Sequence, residues 1–324
     1  MLSIQENTNR LLSAFDDREK GFWVWFASVI PLILISGILV VLVVAGYFLS
    51  NPEILDNPAL LQTPELLIKV EDYDRDAVIR RTLTYFLSVA VIFPGIFVAL
   101  KMFRLKVSDI IAPGDTVRWG TIWGLALTTL VIAISGVLVF GWLDEVQYSY
   151  EPHSGWGWGV VVVMIPIVAL QAMTEELFFR GYLLQLVGRF TRRWWLILLI
   201  IAGLFFAMHL SNPPVEVFGW YALFSYAMSS VLFTFLALKT GRLEYSIALH
   251  IGWNWSVLFV DTRLSPDMYM GIGSFVIDFK PDIISAVQDI FVAAGLYYLA
   301  MMFYRKNISS GYRGSVEAVP SAGE

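Results

Sequence analysis

Residues 172–182 read AMTEELFFRGY and follow an apolar run, residues 157–171, that is typical of a membrane-spanning helix. Ionisable groups at membrane depth are costly, so they usually face a protein interior or a water-filled cavity. On a helix, Glu176 and Arg180 can pair across one turn, whereas Glu175 points about 100° away from Glu176. The sequence therefore predicts one carboxylate neutralised by a structural ion pair, and a neighbouring carboxylate, Glu175, that is free for chemistry.

The composition indicates an integral membrane protein that crosses the bilayer several times. Of the 324 residues, 57% are hydrophobic and 15% are charged, whereas a soluble domain is nearer half apolar and a quarter charged. The net charge of −5 is too small to indicate nucleic-acid binding. Because the chain contains no Cys, disulfides and thiolate metal ligands are excluded.

Eight apolar runs of roughly 20 residues predict an all-α fold with eight transmembrane helices. Lys and Arg collect in every second connection, and the connections 144–156 and 211–216 contain acidic residues but no Lys or Arg. Cytoplasmic loops are rich in Lys and Arg, so both termini are predicted to be cytoplasmic. The predicted spans are residues 22–49, 83–103, 118–143, 157–179, 194–210, 217–238, 243–260 and 283–304.

Two more polar clusters lie in apolar surroundings. Residues 205–209 end the fifth predicted span with His209, and the seventh contains His250 and Asn254, which project from one helical face. A single intramembrane His often makes only a structural hydrogen bond between helices, and a single Glu can serve structure or an ion path. Together with Glu175, these residues supply a general base, hydrogen-bond donors and candidate metal ligands.

The helical rise predicts that these groups lie at similar depths. Glu175 lies 14 positions before Arg189, and His209 lies 15 positions after Trp194, so both are about 21–22 Å from the turn between their helices. They should face each other across a helical hairpin. His250 is only about 10 Å from the start of its own helix, so the levels match if the hairpin projects about 10 Å farther.

The three clusters resemble the signatures of the CAAX protease and bacteriocin-processing (CPBP) family of intramembrane proteases. That family includes the type 2 CAAX prenyl endopeptidases and Abi-type bacterial homologues. Its patterns Glu-Glu-x-x-x-Arg, Phe-x-x-x-His and His-x-x-x-Asn/Asp occur here at residues 175–180, 205–209 and 250–254, in order and on separate predicted spans. The resemblance covers about residues 157–260, and the remaining spans agree with the family by hydropathy alone.

The resemblance implies roles for individual residues on the fourth, fifth and seventh helices. Glu175 would be the general base that activates water, with His209 holding or sharing it. His250 and Asn254 would stabilise the oxyanion of the tetrahedral intermediate. Glu176 would form a structural pair with Arg180 and fix the fourth helix.

A metal-dependent and a metal-free mechanism use the same residues. The family is commonly called metalloprotease, although its motif lacks the His-Glu-x-x-His arrangement. Glu175, His209 and His250 could hold Zn²⁺ with one open coordination position. We expect the zinc-bound form to be favoured, because the three could converge on one cavity and neutral imidazole is a good zinc ligand.

The expected function is that of an intramembrane endopeptidase, which hydrolyses a peptide bond in a membrane-associated or lipidated peptide. The expected partners are such a peptide or protein substrate and the lipid bilayer, and nothing in the sequence identifies a prenyl pocket. One alternative is a non-catalytic membrane scaffold or chaperone of the same family. The other is an ion or proton transporter, since paired intramembrane carboxylates are common there, although the repeated halves of many transporters are not visible.

The chain is predicted to divide into five parts. They are a cytoplasmic segment, 1–21; transmembrane helices with a long outer loop, 22–156; the protease-like catalytic core, 157–260; an outer loop with the last transmembrane helix, 261–304; and a disordered cytoplasmic tail, 305–324. In the first outer loop, Pro64 either begins a helix along the outer surface or lies in a solvated acidic loop.

Overall fold

The computed structural model describes residues 2–16, 22–50, 68–69, 75–143, 148–150, 155–265, 268–269, 275–278 and 282–317. Thirteen α-helices and one π-helical segment make up most of these ranges. The α-helices are α1 Ile4–Asp16, α2 Phe22–Ser50, α3 Arg75–Ala90, α4 Phe93–Met102, α5 Val107–Ile111, α6 Trp119–Leu143, α7 Gly155–Glu176, α8 Leu184–Gly188, α9 Trp194–Met208, α10 Pro213–Phe218, α11 Trp220–Thr240, α12 Glu244–Ser256 and α13 Ile283–Glu317. The π-helical segment, Leu177–Leu183, joins α7 to α8.

Within the described ranges, six stretches are long and apolar enough to cross a membrane, which confirms the predicted multi-pass membrane protein. They are Trp23–Ser50, Thr82–Met102, Trp119–Val139, Trp158–Gly188, Trp220–Thr240 and Ile283–Ser309. The predicted number of eight is not confirmed. The other two predicted spans are α9, with 15 residues, and α12, with 13 residues, and both are shorter than the roughly 20 residues that a bilayer requires.

Helix α12 lies inside the bundle instead of facing lipid. Ten of its residues are buried, including Glu244 and His250. Gly252 allows this position, because a Cβ there would fall against the Ala126 carbonyl oxygen of α6 and within 2.6 Å of the Thr129 Cβ. A short helix can be accommodated at this place because protein, and not lipid, surrounds it.

The Lys- and Arg-rich connections gather at one end of the bundle, where α1 covers them. Gln5 Nε2 donates to the Arg192 carbonyl at 2.6 Å, and Asn7 Nδ2 donates to the Lys239 carbonyl at 2.7 Å. Leu11 and Phe15 of α1 are buried. Residues 4–16 of the predicted N-terminal segment therefore form a packed part of the fold.

A buried ionic network joins two connections at the same end. Arg242, 2% exposed, donates to both carboxylate oxygens of Glu244 at 2.8 Å and pairs with Asp115. The Arg118 backbone N–H donates to Glu244 Oε1 at 2.6 Å. Burial lowers the pKa of Arg242, but the hydrogen bonds and charges of Glu244 and Asp115 outweigh it, so the pKa lies above its ordinary value. The network fixes the start of α12.

At the opposite end, short strands from three connections form one sheet, which the all-α prediction did not contain. The strand order is β1-β4-β3-β5-β2, with β3 and β5 parallel and the other pairs antiparallel. The strands are β1 Ile68–Lys69, β2 Tyr148–Tyr150, β3 Val260–Ser265, β4 Met268–Tyr269 and β5 Phe275–Asp278.

Two predictions about irregular segments are changed. Helix α13 continues to Glu317, so residues 305–317 are helical where a disordered tail was predicted, and residues 318–324 lie outside the described ranges. Ile68–Lys69 form a strand, which corrects the proposed surface helix at that point. The predicted start of that helix at Pro64 lies outside the described residues.

Candidate active site

The four predicted catalytic residues line one cavity of about 290 Å³. Glu175 comes from the end of α7, His209 follows the end of α9, and His250 and Asn254 come from α12. Helices α3, α10 and α11 also contribute to its wall. Four positions that are up to 79 residues apart in the sequence therefore share one space inside the helical bundle.

The predicted ion pair between Glu176 and Arg180 is present and fully buried. Arg180 Nη1 donates to Glu176 Oε1 at 2.9 Å, and both side chains are 0% exposed. The guanidinium also donates to Thr234 Oγ1 at 3.2 Å and to the Ser230 carbonyl at 3.3 Å, and it lies 4.1 Å from the centre of the Phe205 ring. This buried charge thus has both polar and aromatic partners.

A π-helical turn lies directly after the two glutamates. Residues 177–183 contain Arg180 and Gly181, and a Cβ at Gly181 would approach Ile110 Cγ2 to 2.8 Å. Single π-turns inside α-helices occur frequently at functional sites, because the wider turn changes the direction of the side chains after it. Here it lies between Glu176 and the end of the transmembrane helix, in close contact with α5.

His250 lies between the two glutamates. Its Nδ1 is 2.9 Å from Glu176 Oε1, and its Nε2 is 3.5 Å from Glu175 Oε2. An ionised carboxylate only accepts hydrogen bonds, so Nδ1 carries a proton and donates to Glu176. The other ring nitrogen, Nε2, is left facing Glu175. Glu176 is therefore more than the partner of Arg180, since it also orients His250.

Gln171, which sequence reasoning did not select, connects the free glutamate to Asn254. Gln171 Nε2 donates to Glu175 Oε1 at 2.6 Å, and Gln171 Oε1 accepts from Asn254 Nδ2 at 2.9 Å. Asn254 thus donates to Gln171 in this structure, whereas its predicted role was a hydrogen bond to the oxyanion. A polar residue one helical turn before Glu175, inside an apolar run, was the signal that could have identified Gln171.

His209 lines the cavity without a direct hydrogen bond to Glu175 among the described contacts. Its Nδ1 is 2.7 Å from the Phe205 carbonyl, to which it donates, so Nε2 is the acceptor of the neutral ring. Its ring packs 4.9 Å from that of Tyr226, whose hydroxyl accepts from Asn212 at 3.3 Å. The structure thus places His250, and not His209, against the free glutamate.

The predicted zinc ligands do not form a three-residue set. Within the part of the chain that the structure describes, no group of three or more His, Asp or Glu side chains is arranged to hold a metal ion. Glu175 and His250 approach each other, but Nδ1 of His250 already bonds to Glu176. The expected convergence of Glu175, His209 and His250 on one ion is therefore not found.

A further carboxylate lies in a small pocket beside the cavity. Asp289 of α13 accepts a hydrogen bond from Ser225, and Ser225 lines both the pocket and the catalytic cavity. Asp289 lies near the start of α13, at the same end of the bundle as the start of α11. The hydrogen bond between Asp289 and Ser225 joins these two helices.

Buried, ionisable groups that converge on a cavity between apolar helices define a candidate functional site. Residues 157–256 match the family model described as type II CAAX prenyl endopeptidase Rce1-like. This match confirms the resemblance expected from the three motifs, and it supports a membrane protein of the CAAX protease type.

One curated relative is similar over a larger part of the chain. It is the uncharacterized protein YyaK of Bacillus subtilis (strain 168), 28% identical over 187 residues, which are 56% of this chain and 61% of the relative. The similarity thus spans less than two thirds of that protein. No solved structure matches this chain.

Proposed function

We propose that the protein is an intramembrane endopeptidase that hydrolyses a peptide bond in a membrane-associated or lipidated peptide, with water activated by Glu175. One observation carries this proposal: His250 Nε2 lies 3.5 Å from Glu175 Oε2 inside a cavity, while Glu176 holds the opposite nitrogen. The family match over residues 157–256 supports the same class of activity.

The hydrogen bond to Glu176 determines how protons are arranged at the site. Because Nδ1 carries a proton, a neutral His250 would turn the lone pair of Nε2 toward the carboxylate of Glu175. Two acceptors repel each other, so we assign one further proton to Nε2 of His250. With this proton on His250, Glu175 is an ionised base and Nε2–H is a hydrogen-bond donor.

This arrangement assigns each step of hydrolysis to a residue. Glu175 takes a proton from water as the water oxygen bonds to the carbonyl carbon of the substrate. The carbonyl oxygen becomes an oxyanion, and Nε2–H of His250 donates to it. When the carbon–nitrogen bond breaks, Glu175 returns the proton to the leaving amine. The products are a carboxylic acid and an amine, and the site regains its starting protonation.

Three neighbouring residues are proposed to position these groups. Gln171 holds Glu175 Oε1 and leaves Oε2 for the water and His250. The second N–H of the Asn254 amide remains for the substrate oxygen, in agreement with the role that the resemblance implies. His209, with Nε2 as an acceptor, can hold the attacking water from the other side of the cavity. Because the residues do not form a three-donor metal set, no step is assigned to a metal.

The proposal is tested by comparing the membrane peptides of cells that lack the protein, contain the wild type or contain Glu175→Gln. An amide cannot accept the proton of water, so the Glu175→Gln cells should accumulate the same uncleaved peptides as the cells that lack the protein. Asp109→Asn is the matched control, since it makes the same chemical change at a side chain that caps α5. Wild-type peptide patterns in the Glu175→Gln cells would support the scaffold and refute the protease.

A further inference from the structure

We infer that the catalytic cavity opens toward the non-cytoplasmic side of the membrane, so that the substrate segment enters from that side. This inference rests on the proposed function for the identity of the substrate as a peptide. The position of the opening does not depend on that proposal. Its basis is the placement of the cavity along the helices, the closed packing below it and the distribution of Lys and Arg.

The cavity is lined by residues near those helix ends that lie away from the Lys- and Arg-rich connections. Helix α11 runs from Trp220 to Lys239 and Thr240 at the basic end, and it contributes Ser225 and Tyr226 from its first two turns. Helix α12 starts at the basic end and contributes Asn254 from its last turn. The direction of each helix thus places the cavity in the same half of the bundle.

Distances along the helices agree with this placement. At 1.5 Å per residue, Glu175 lies about 20 Å from Gly188 and His209 lies about 22 Å from Trp194, both at the basic end. Ser225 lies only about 8 Å from the start of α11 at Trp220. In a hydrocarbon layer of about 30 Å, Glu175 and His209 are therefore nearer the face away from the Lys and Arg residues, while His250 lies only about 9 Å along α12 from its buried start at Glu244.

The side chains between the site and the basic end are closely packed. From Glu175 toward the basic end, the next buried side chains are Arg180 and Tyr182. Tyr182 is 1% exposed, and its hydroxyl lies 2.6 Å from Ser28 Oγ. The Tyr182 ring lies 5.3 Å from that of Trp25, which in turn stacks on Phe15 of α1 at 5.0 Å. This continuous stack reaches from the site to the covering helix α1.

A second closely packed region lies between His250 and the basic end. The Arg242–Glu244–Asp115 network fills the space at the start of α12, and Glu244 is 0% exposed. At Gly241, where φ is +67°, a Cβ would approach the Asn7 carbonyl oxygen of α1 to 2.8 Å. A peptide approaching from the basic end would have to displace buried charges and α1.

The Lys and Arg distribution indicates which side of the membrane this end faces. The structure brings the connections 103–118, 189–193 and 239–243 together beside α1, and short loops rich in Lys and Arg remain in the cytoplasm. At the opposite end, the short connections 144–156 and 211–216 contain none, and the two longer ones, 51–81 and 261–282, contain six in all. The cavity mouth then faces outward, and the substrates are peptide segments exposed at the outer face, such as a translocated peptide.

Because the natural chain has no Cys, single Cys residues can report access from each side. Ser229→Cys and Val257→Cys place a thiol in the cavity wall, and Phe190→Cys places one at the basic end, where Phe190 is 75% exposed. A membrane-impermeant thiol reagent should label the two cavity variants in intact cells, and Phe190→Cys only in inverted vesicles. Ile33→Cys, on the lipid-facing side of α2, is the control that neither preparation should label.

The opposite labelling pattern would overturn the inference, as would labelling of the cavity variants from the same side as Phe190→Cys. The two cavity positions provide a check on each other if one variant does not accumulate. Each measurement is repeated with Glu175→Gln added. Expected labelling without peptide cleavage by the wild type would refute the proposed function and leave the sidedness standing, while cleavage with reversed labelling would refute only the sidedness.

Discussion

Replacing Glu176 by Gln tests whether its charge is needed to hold Arg180 inside the protein. The substitution keeps the shape of the side chain, and its amide oxygen can still accept from Nδ1 of His250. The guanidinium, however, loses its counter-charge at 2.9 Å in a fully buried site. Removing one partner of a buried pair costs about 3–5 kcal/mol. This is a large fraction of the roughly 5–15 kcal/mol by which folded proteins are stable.

The prediction is measured as the thermal midpoint and the denaturant midpoint of purified protein in detergent, together with its abundance in membranes. Glu175→Gln is the matched control, because it makes the same change one residue away on a side chain that is 14% exposed and already bonds to an amide. We expect its stability to lie within about 1 kcal/mol of the wild type. Glu176→Gln should instead unfold earlier and be far less abundant.

A double variant separates the lost charge from lost packing. Glu176→Gln combined with Arg180→Met removes both charges, and replacing a buried pair by neutral groups is often neutral or stabilising. The double variant should therefore be more stable than Glu176→Gln alone. Equal stability of Glu176→Gln and Glu175→Gln, or no recovery in the double variant, would show that the buried charge of Arg180 does not depend on Glu176.

Two further predictions concern the packing of α12 and the role of His250. Gly252→Ala should lower stability by about 1–3 kcal/mol, because the new Cβ meets the α6 backbone. Gly37→Ala is the control and should leave stability unchanged, because no atom lies within 4 Å of its added Cβ. Equal thermal midpoints of the two variants would contradict the close approach of α12 to α6. If His250 is an oxyanion donor, His250→Ala should lower turnover by about 10²–10³ without changing the metal content. Elemental analysis of the purified wild type and the purified variant measures that content. Loss of stoichiometric zinc in His250→Ala would support the ligand role instead.

The sequence predicted the local part of the site well, because local spacing determines it. A separation of four residues places Glu176 beside Arg180 on any helix, and the structure shows this pair. Hydropathy identified the six long helices, since a lipid-facing helix must be apolar along most of its length. Those two rules use only residues that are near each other in the chain.

Contacts between distant segments could not be predicted in the same way. The bond between His250 and Glu176 joins residues 74 positions apart, and it depends on the depth of α12, which Gly252 and the ionic network at its start determine. Helix α1 was predicted only as part of a cytoplasmic segment, 1–21, because the residues that α1 packs against lie far away in the sequence. The strands were missed because each has between two and six residues, which is too short for a periodic pattern.

The contacts of His250 indicate why two adjacent glutamates are needed. A helix turns the side chains of Glu175 and Glu176 about 100° apart, so one can face the buried Arg180 while the other faces the cavity. His250 touches both, and its two nitrogens therefore experience different partners. The ion pair keeps Glu176 ionised, the ionised Glu176 keeps the proton on Nδ1, and Nε2 is thereby directed at Glu175. The buried pair is then a positioning element for catalysis as well as a structural one, which a single glutamate could not provide.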